Sequence, residues 1–455
     1  MCGIAGASCI DLSAATLVLG MLEMQTNRGD DAAGIAISGG CEPNELRVVK
    51  GQGSPEEVFS ERMRTLLLGR ASIGHVRYPT SAGSGEAGAH PFHVGDIALA
   101  HNGNITNVDD LQGMLVPGTE KEMEFGSDTE YVAALLAQAK GTLHERITSV
   151  CTKLEGSYSL CILQSGGVVA YVRDPHGIRP LYTGHIEIDG RTAFLAASET
   201  CAIESVGGTV DGEVEPGEVV YVHPDGTVQR ERFAPADPDN CIFEFIYFQR
   251  AFSKFRGVTC LDFRKALGAQ LAREVGLLPD SDARVVPVLN SGLGGALGLY
   301  RESGIEYDPF LINVGKRRTF LQPLQSMRVA SVWSKHVPCR TEPGLRLLVV
   351  DDSIVRGTTI GPVVEVLRRN NPSSVEVFIP CPMFYCRCNL GIDTPTNEEL
   401  IAHRLKGDVE AIRKEIGADK LHFLSLEGLD EVIRSFGWDP EDFCKACFDG
   451  NYPAH

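Results

Sequence analysis

Apolar positions along the chain fall into runs of different period. Leu345 to Val350 is almost wholly aliphatic, with Arg346 the one exception, and such a run predicts a strand buried on both faces of a parallel sheet. Beyond it, Ile360, Val363, Val364, Val366 and Leu367 fall on one stripe of a helix expected over Ile360 to Arg369. Val285 to Gly298 reads as strand, Gly-rich loop and helix start. From Glu155 to Glu218 apolar residues alternate between Gly and Pro breaks, which predicts strands and turns. Ala234 to Asp239, with two prolines among polar neighbours, is the best linker. The expected division is therefore residues 2–235 and 236–455, with Cys241 to Phe248 opening the second part.

Polar residues between the first strand and helix suggest chemistry. Asp351 and Asp352 close the strand, and Arg356, Gly357, Thr358 and Thr359 lead into the helix. A glycine there lets backbone approach a phosphate, while hydroxyls and helix-start amides donate to its oxygens. Paired aspartates hold ribose hydroxyls or help to place magnesium.

The stretch Leu345 to Thr359 resembles the phosphoribosyl-diphosphate (PRPP) loop of the type I phosphoribosyltransferases. The resemblance implies an α/β domain with a parallel sheet. It also implies PRPP contacts from Asp351, Asp352, Ser353, Arg356, Gly357, Thr358, Thr359 and Lys335, and Mg2+ held through Ser291, Asp351 and Asp352. Val285 to Gly298 then looks like the diphosphate loop. The basic stretch Gly315 to Lys335 looks like a flap that closes over PRPP and excludes water.

At the other end, Cys2 follows the initiator methionine, whose removal exposes a free α-amine beside the thiol, so that one residue supplies nucleophile and base. Further motifs follow: Gln25 to Gly34, Gly74 to Thr80, His101 to Asn104, and Gly126 to Glu130. Together with Cys2 they resemble the N-terminal-nucleophile glutaminase domain of the glutamine amidotransferases, which implies an αββα sandwich. Asn102 and Gly103 match its oxyanion pair. Arg77 fits the carboxylate of glutamine and Asp128 its ammonium, with Arg28 and Thr80 nearby in the pattern. Arg173 to Pro180 continues the resemblance, and His176 in its Pro-His-Gly turn reads as a structural histidine.

Composition narrows the field. At 455 residues two domains are the natural prior, and 43% hydrophobic and 7% aromatic content are ordinary for a globular chain. A formal charge of −18 argues against a nucleic acid as main partner. The absence of a long apolar run and of a basic-then-apolar leader gives no sign of a membrane or of export, so the cytoplasm is expected. Fourteen scattered cysteines are many for a reducing compartment, and Cys444 with Cys447 forms a CxxC edge suited to a metal or cluster.

As a whole the chain resembles the amidophosphoribosyltransferase family. That resemblance implies hydrolysis of glutamine by Cys2, internal transfer of ammonia and displacement of pyrophosphate from PRPP, the first committed step of purine synthesis. It also implies a homotetramer inhibited by purine nucleotides. Some members hold a [4Fe–4S] cluster, whose ligands match Cys241, Cys388, Cys444 and Cys447. Zinc or free thiols remain open, as do Cys381 or Cys386 in place of Cys388. Three stretches depart from the family pattern: Leu289 to Gly292, Asn313 to Gly315, and Arg250 to Ser253. They leave two alternatives, a paralogue with similar chemistry in another pathway and a PRPP- or nucleotide-sensing protein without transfer activity.

Overall fold

A computed structural model describes residues 1–9, 11, 13–40, 44–78, 88–117, 123, 126–313, 336–338 and 343–453. Thr80, Lys335 and the proposed flap lie outside these residues.

The first half builds two antiparallel sheets. Seven strands run in the order Thr209–Glu213, Tyr182–Ile188, Arg191–Ala197, Gly3–Ser8, Ala71–Arg77, Ala32–Ser38 and Arg47–Gln52. Six others run Val228–Arg232, Glu218–Val222, Val169–Arg173, Gly156–Gln164, Ile97–Ile105 and Phe92–Val94. Strand alternation sorts the side chains into layers. Ile4, Ala36, Ile73, Ala98, Ala100, Cys161 and Val220 fill the space between the sheets. Ala5, Ala7, Ile35 and Ile37 point the other way, onto Leu17, Val18 and Leu22 of helix Ala14–Met24. On the far side Leu99, Leu160, Ile162 and Val172 meet Val132, Leu136 and Ile147 of helices Asp128–Gln138 and Leu143–Cys151. The result is helix, sheet, sheet, helix. One element departs from the strands and turns expected between Glu155 and Glu218. Thr200–Ser205 is helical, and it buries Ala202 and Ile203 in the same cluster as helix Ala14–Met24.

The second half is a parallel sheet, Ala283–Pro287, Arg346–Val350, Ser374–Ile379 and Lys420–Phe423, in that spatial order. Helices Cys260–Val275, Leu293–Ser303, Ile360–Arg368, Val409–Ile416 and Leu426–Ser435 cover its faces. The exception Arg346 is explained by its ion pairs with Asp280 at 2.7 Å and Glu376 at 3.0 Å. Each buried aliphatic side chain of Leu347 to Val350 contributes on the order of 1.5–3 kcal/mol.

Between the halves, Asn240–Cys241 pairs in parallel with Phe443–Cys444, so the C-terminal segment returns to the start of the second half. A wide helical turn follows over Glu244–Phe248, in which Gln249 N–H donates to the Glu244 carbonyl at 2.9 Å. His176 packs against the linker, its Nδ1 2.9 Å from the Asp237 carbonyl oxygen and 3.5 Å from Asp239.

Candidate active site

Cys2 is partly exposed and sits one residue before strand Gly3–Ser8. Gly3 lies opposite Val76, which brings Cys2 level with Arg77 on the neighbouring strand. By alternation Cys2 shares the inter-sheet face with Ile4, while Asn102 shares that face of the other sheet with Ala98 and Ala100. Thiol and amide thus belong to facing surfaces at one end of the sandwich.

Asn102 is 1% exposed, and neither its Nδ2 nor its Oδ1 has a hydrogen-bond partner among the described residues. A buried amide in that condition is costly unless something else receives its hydrogen bonds. Next to it, a Cβ on Gly103 would come within 2.0 Å of the Ser157 carbonyl oxygen, so only glycine fits. Asp128 opens the helix Asp128–Gln138 and is anchored twice. Its Oδ1 accepts from Thr129 N at 2.6 Å, and its Oδ2 accepts at 3.1 Å from Ile105 N, on the strand that carries Asn102. Arg77 is 5% exposed, lies against Gly88 and stands 4.0 Å from Asp31.

Arg28 requires a correction to its expected place beside glutamine. It is fully buried, with Nε donating to the Cys2 carbonyl at 2.7 Å and both terminal nitrogens taken by Glu244 at 2.7 and 2.9 Å. Glu199 adds a contact at 3.2 Å. So committed, the fork has no face to offer a second carboxylate.

The motifs also carry histidines to which the sequence assigned no role. His75 and His90 stack at 4.1 Å, and the backbone N–H of His101 donates to His90 Nδ1 at 3.3 Å. Burial, and then Arg77 for His75 and His75 for His90, hold both rings well below the usual histidine range, so they are neutral at pH 7. His101 itself bridges Thr129 Oγ1 at 2.9 Å and the Ser157 carbonyl oxygen at 3.3 Å.

The second centre is a cavity of about 300 Å³ at the carboxyl ends of the parallel strands. Asp351 and Asp352 form its acidic floor. Ser291 Oγ donates to Asp351 at 2.7 Å, and Ser353 Oγ donates to Asp352 at 2.5 Å. Burial, followed by repulsion from Asp352, pushes Asp351 well above the usual carboxylate range; burial also raises Asp352. Asn290, Thr358 and Thr359 line the same space. Two glycines are fixed by the path of the chain. Gly357 has φ +77°, and a Cβ on Gly292 would strike the Val350 carbonyl oxygen at 2.0 Å. Arg356 lines the cavity as well, with its guanidinium held by Glu399 at 2.6 Å and by the Asp393 carbonyl at 3.0 Å. The far wall of this cavity is Phe243, Tyr247, Phe248, Tyr78 and Met1, so it reaches the residue before Cys2.

Behind that wall lie four thiols. Cys241 and Cys444 are register partners. Cys447 is pushed well up by burial and then by the charges of Cys241, Cys444 and Cys388. Arg179 faces Cys241 and Cys388, and Leu390 N–H donates to Cys388 Sγ at 3.3 Å. Cys386 instead feels Asp449, and Cys381 feels Asp352. Among the described residues no group of three or more His, Cys, Asp or Glu side chains is arranged to hold a single metal ion. Four thiolates around one zinc would sit about 3.8 Å apart. Cys241, Cys444 and Cys388 all bear on the charge of Cys447, so the four thiols share one neighbourhood.

Comparison with known proteins places the chain among relatives. Residues 77–205 match the model of a glutamine amidotransferase domain. Amidophosphoribosyltransferase 1 of Arabidopsis thaliana, a chloroplast protein, is 38% identical over 99% of this chain and 78% of its own length. The amidophosphoribosyltransferase of Bacillus subtilis is 38% identical over 94% of this chain and 89% of its own. The Archaeoglobus fulgidus enzyme is 36% identical over 100% and 98%. Among solved structures, the B. subtilis glutamine PRPP amidotransferase complexed with ADP and GMP superposes with TM-score 0.86 at 36% identity, covering 100% of this chain and 97% of that one. No helix among the described residues is long and apolar enough to cross a membrane.

Proposed function

Because the chain belongs to the amidophosphoribosyltransferase family, we propose that it makes 5-phosphoribosylamine from glutamine and PRPP, the opening step of purine synthesis. Residues 2–235 are the glutaminase and 236–455 the transferase. Once Met1 is removed, the Cys2 thiol attacks the amide carbon of glutamine and passes its proton to its own α-amine. Asn102 Nδ2, whose buried hydrogen bonds are otherwise unmet, receives the oxyanion together with Gly103 N–H. Collapse expels ammonia, which takes up the proton, and water converts the thioester to glutamate. Arg77 and Asp128 hold the carboxylate and ammonium of the substrate, and Thr80 assists.

Ammonia then crosses the cavity and displaces pyrophosphate from C1 of PRPP. Asp351 and Asp352 orient the ribose, while Ser353, Gly357, Thr358 and Thr359 receive the 5-phosphate. Lys335 and Arg356 contribute positive charge. Mg2+, held by Ser291, Asp351 and Asp352, would neutralise charge on the departing diphosphate. Cys241, Cys388, Cys444 and Cys447 are the residues for a [4Fe–4S] cluster, a structural tie between the linker and the C-terminal segment. The protein is a cytoplasmic homotetramer, and purine nucleotides inhibit it.

One observation carries this reading: a single cavity is lined by both the paired aspartates and Met1, the residue before Cys2, so the transferase cavity extends to the neighbourhood of the nucleophile. Pyrophosphate release tests it. Release with PRPP plus glutamine and with PRPP plus ammonium is expected; retained PRPP binding with neither release would instead mark a sensing protein.

A further inference from the structure

The wall between the two sites is also a lever. Glu244 begins the wide turn Glu244–Phe248, whose Tyr247 and Phe248 face the cavity. Its own side chain points the other way, into the first half of the molecule. There it takes a bidentate grip from Arg28 at 2.7 and 2.9 Å and a further contact from Arg179 at 3.3 Å. All three residues are buried, at no more than 1% exposure. Arg28 in turn donates through Nε to the Cys2 carbonyl at 2.7 Å. The other half returns the gift: Glu199 accepts from Arg250 N–H at 2.8 Å and from Ser253 Oγ at 2.7 Å.

We propose that Glu244, a residue of the transferase half, is a positioning residue for the glutaminase nucleophile, acting through Arg28 on the backbone of Cys2. The physical reason is rigidity. A planar guanidinium fixed along one edge by two carboxylate oxygens has no rotation left, so its Nε defines where the Cys2 carbonyl sits. Cys2 lies one residue outside the strand, and its carbonyl is fixed by this contact. A displacement of the cavity wall at Tyr247 or Phe248 therefore moves Glu244, Arg28 and Cys2 together. The two halves need no contact between their substrates to be coupled.

The inference rests on the functional reading above, and its test separates the two. In the full-length protein, three quantities are followed for wild type, Glu244→Gln and Glu244→Asp: glutamate release, ammonium-driven pyrophosphate release, and the rate of Cys2 alkylation by iodoacetamide read by peptide mass. For Glu244→Gln, kcat for glutamate release is expected to fall at least tenfold with KM for glutamine within about twofold. Ammonium-driven release should stay within about twofold, and alkylation of Cys2 should change at least threefold. Glu244→Asp keeps the charge and should recover part of kcat; if Glu244→Gln does not fold, it carries the test with the same arms. Equal losses in both activities, or a rise in KM alone, would overturn the proposal. A wild-type protein that releases no glutamate would sink the functional reading instead, with the alkylation arm still deciding whether Glu244 sets the environment of Cys2.

Discussion

Asp128 and Asp351 are both carboxylates at the end of a regular element, yet their surroundings are opposite. Asp128 is satisfied by the chain itself, through Thr129 N–H, Ile105 N–H and the nearby His101 ring. Asp351 is buried against a second carboxylate, and among the described residues it accepts from the hydroxyl of Ser291 and the N–H of Asp352. The glutaminase centre is thus preorganised before substrate arrives, while the transferase centre sets two buried carboxylates against each other. A site of the first kind works by geometry, and one of the second kind awaits cations.

Variants sharpen that contrast. Cys2→Ala should reduce glutamine-driven product below detection while ammonium-driven pyrophosphate release stays within about twofold, since the nucleophile has no substitute. Asn102→Ala should lower kcat for glutamate release by about 10²–10³ without touching the ammonium reaction. Asp351→Asn should do the reverse, costing about a hundredfold in ammonium-driven release while basal glutamate release persists. Loss of both activities in any one of these would erase the distinction between the centres.

Stability offers a gentler probe. Asp351 and Asp352 bind protons more readily folded than unfolded, so the fold loses stability as pH rises from the ordinary carboxylate value of 3.8 through their raised values. At pH 8 without divalent cations, Asp351→Asn should therefore melt a few degrees above wild type, and Mg2+ should raise the melting temperature of wild type only. The smallest effect is expected at His176. Asp239 raises its pKa above the ordinary 6.5, so the stabilisation is complete below pH 6.5 and is lost as pH climbs through the folded value. His176→Gln should cost below about 1 kcal/mol in denaturant melts at pH 6, nothing at pH 9, and neither activity.

Legibility in the sequence followed the same divide between local and distant causes. The strand now at Arg346–Val350 and the helix at Ile360–Arg368 were readable because their periods are carried by adjacent residues. In the first half, alternation announced the strands between Glu155 and Glu218, while the earlier part of both sheets was reached through motifs. Arg28 was misplaced because its partner Glu244 stands 216 residues away, and no local pattern announces such a pairing. The stacked His75 and His90 come from separate segments, and only the fold brings them together. Helix Thr200–Ser205 is too short for its period to stand out from the strands around it.

Met1 is 3% exposed and borders the cavity. While Met1 remains, the Cys2 nitrogen is an amide and cannot serve as the base for its own thiol. For anyone producing the protein, it follows that a tag fused ahead of Met1 would set a peptide against the cavity and leave the thiol without its base.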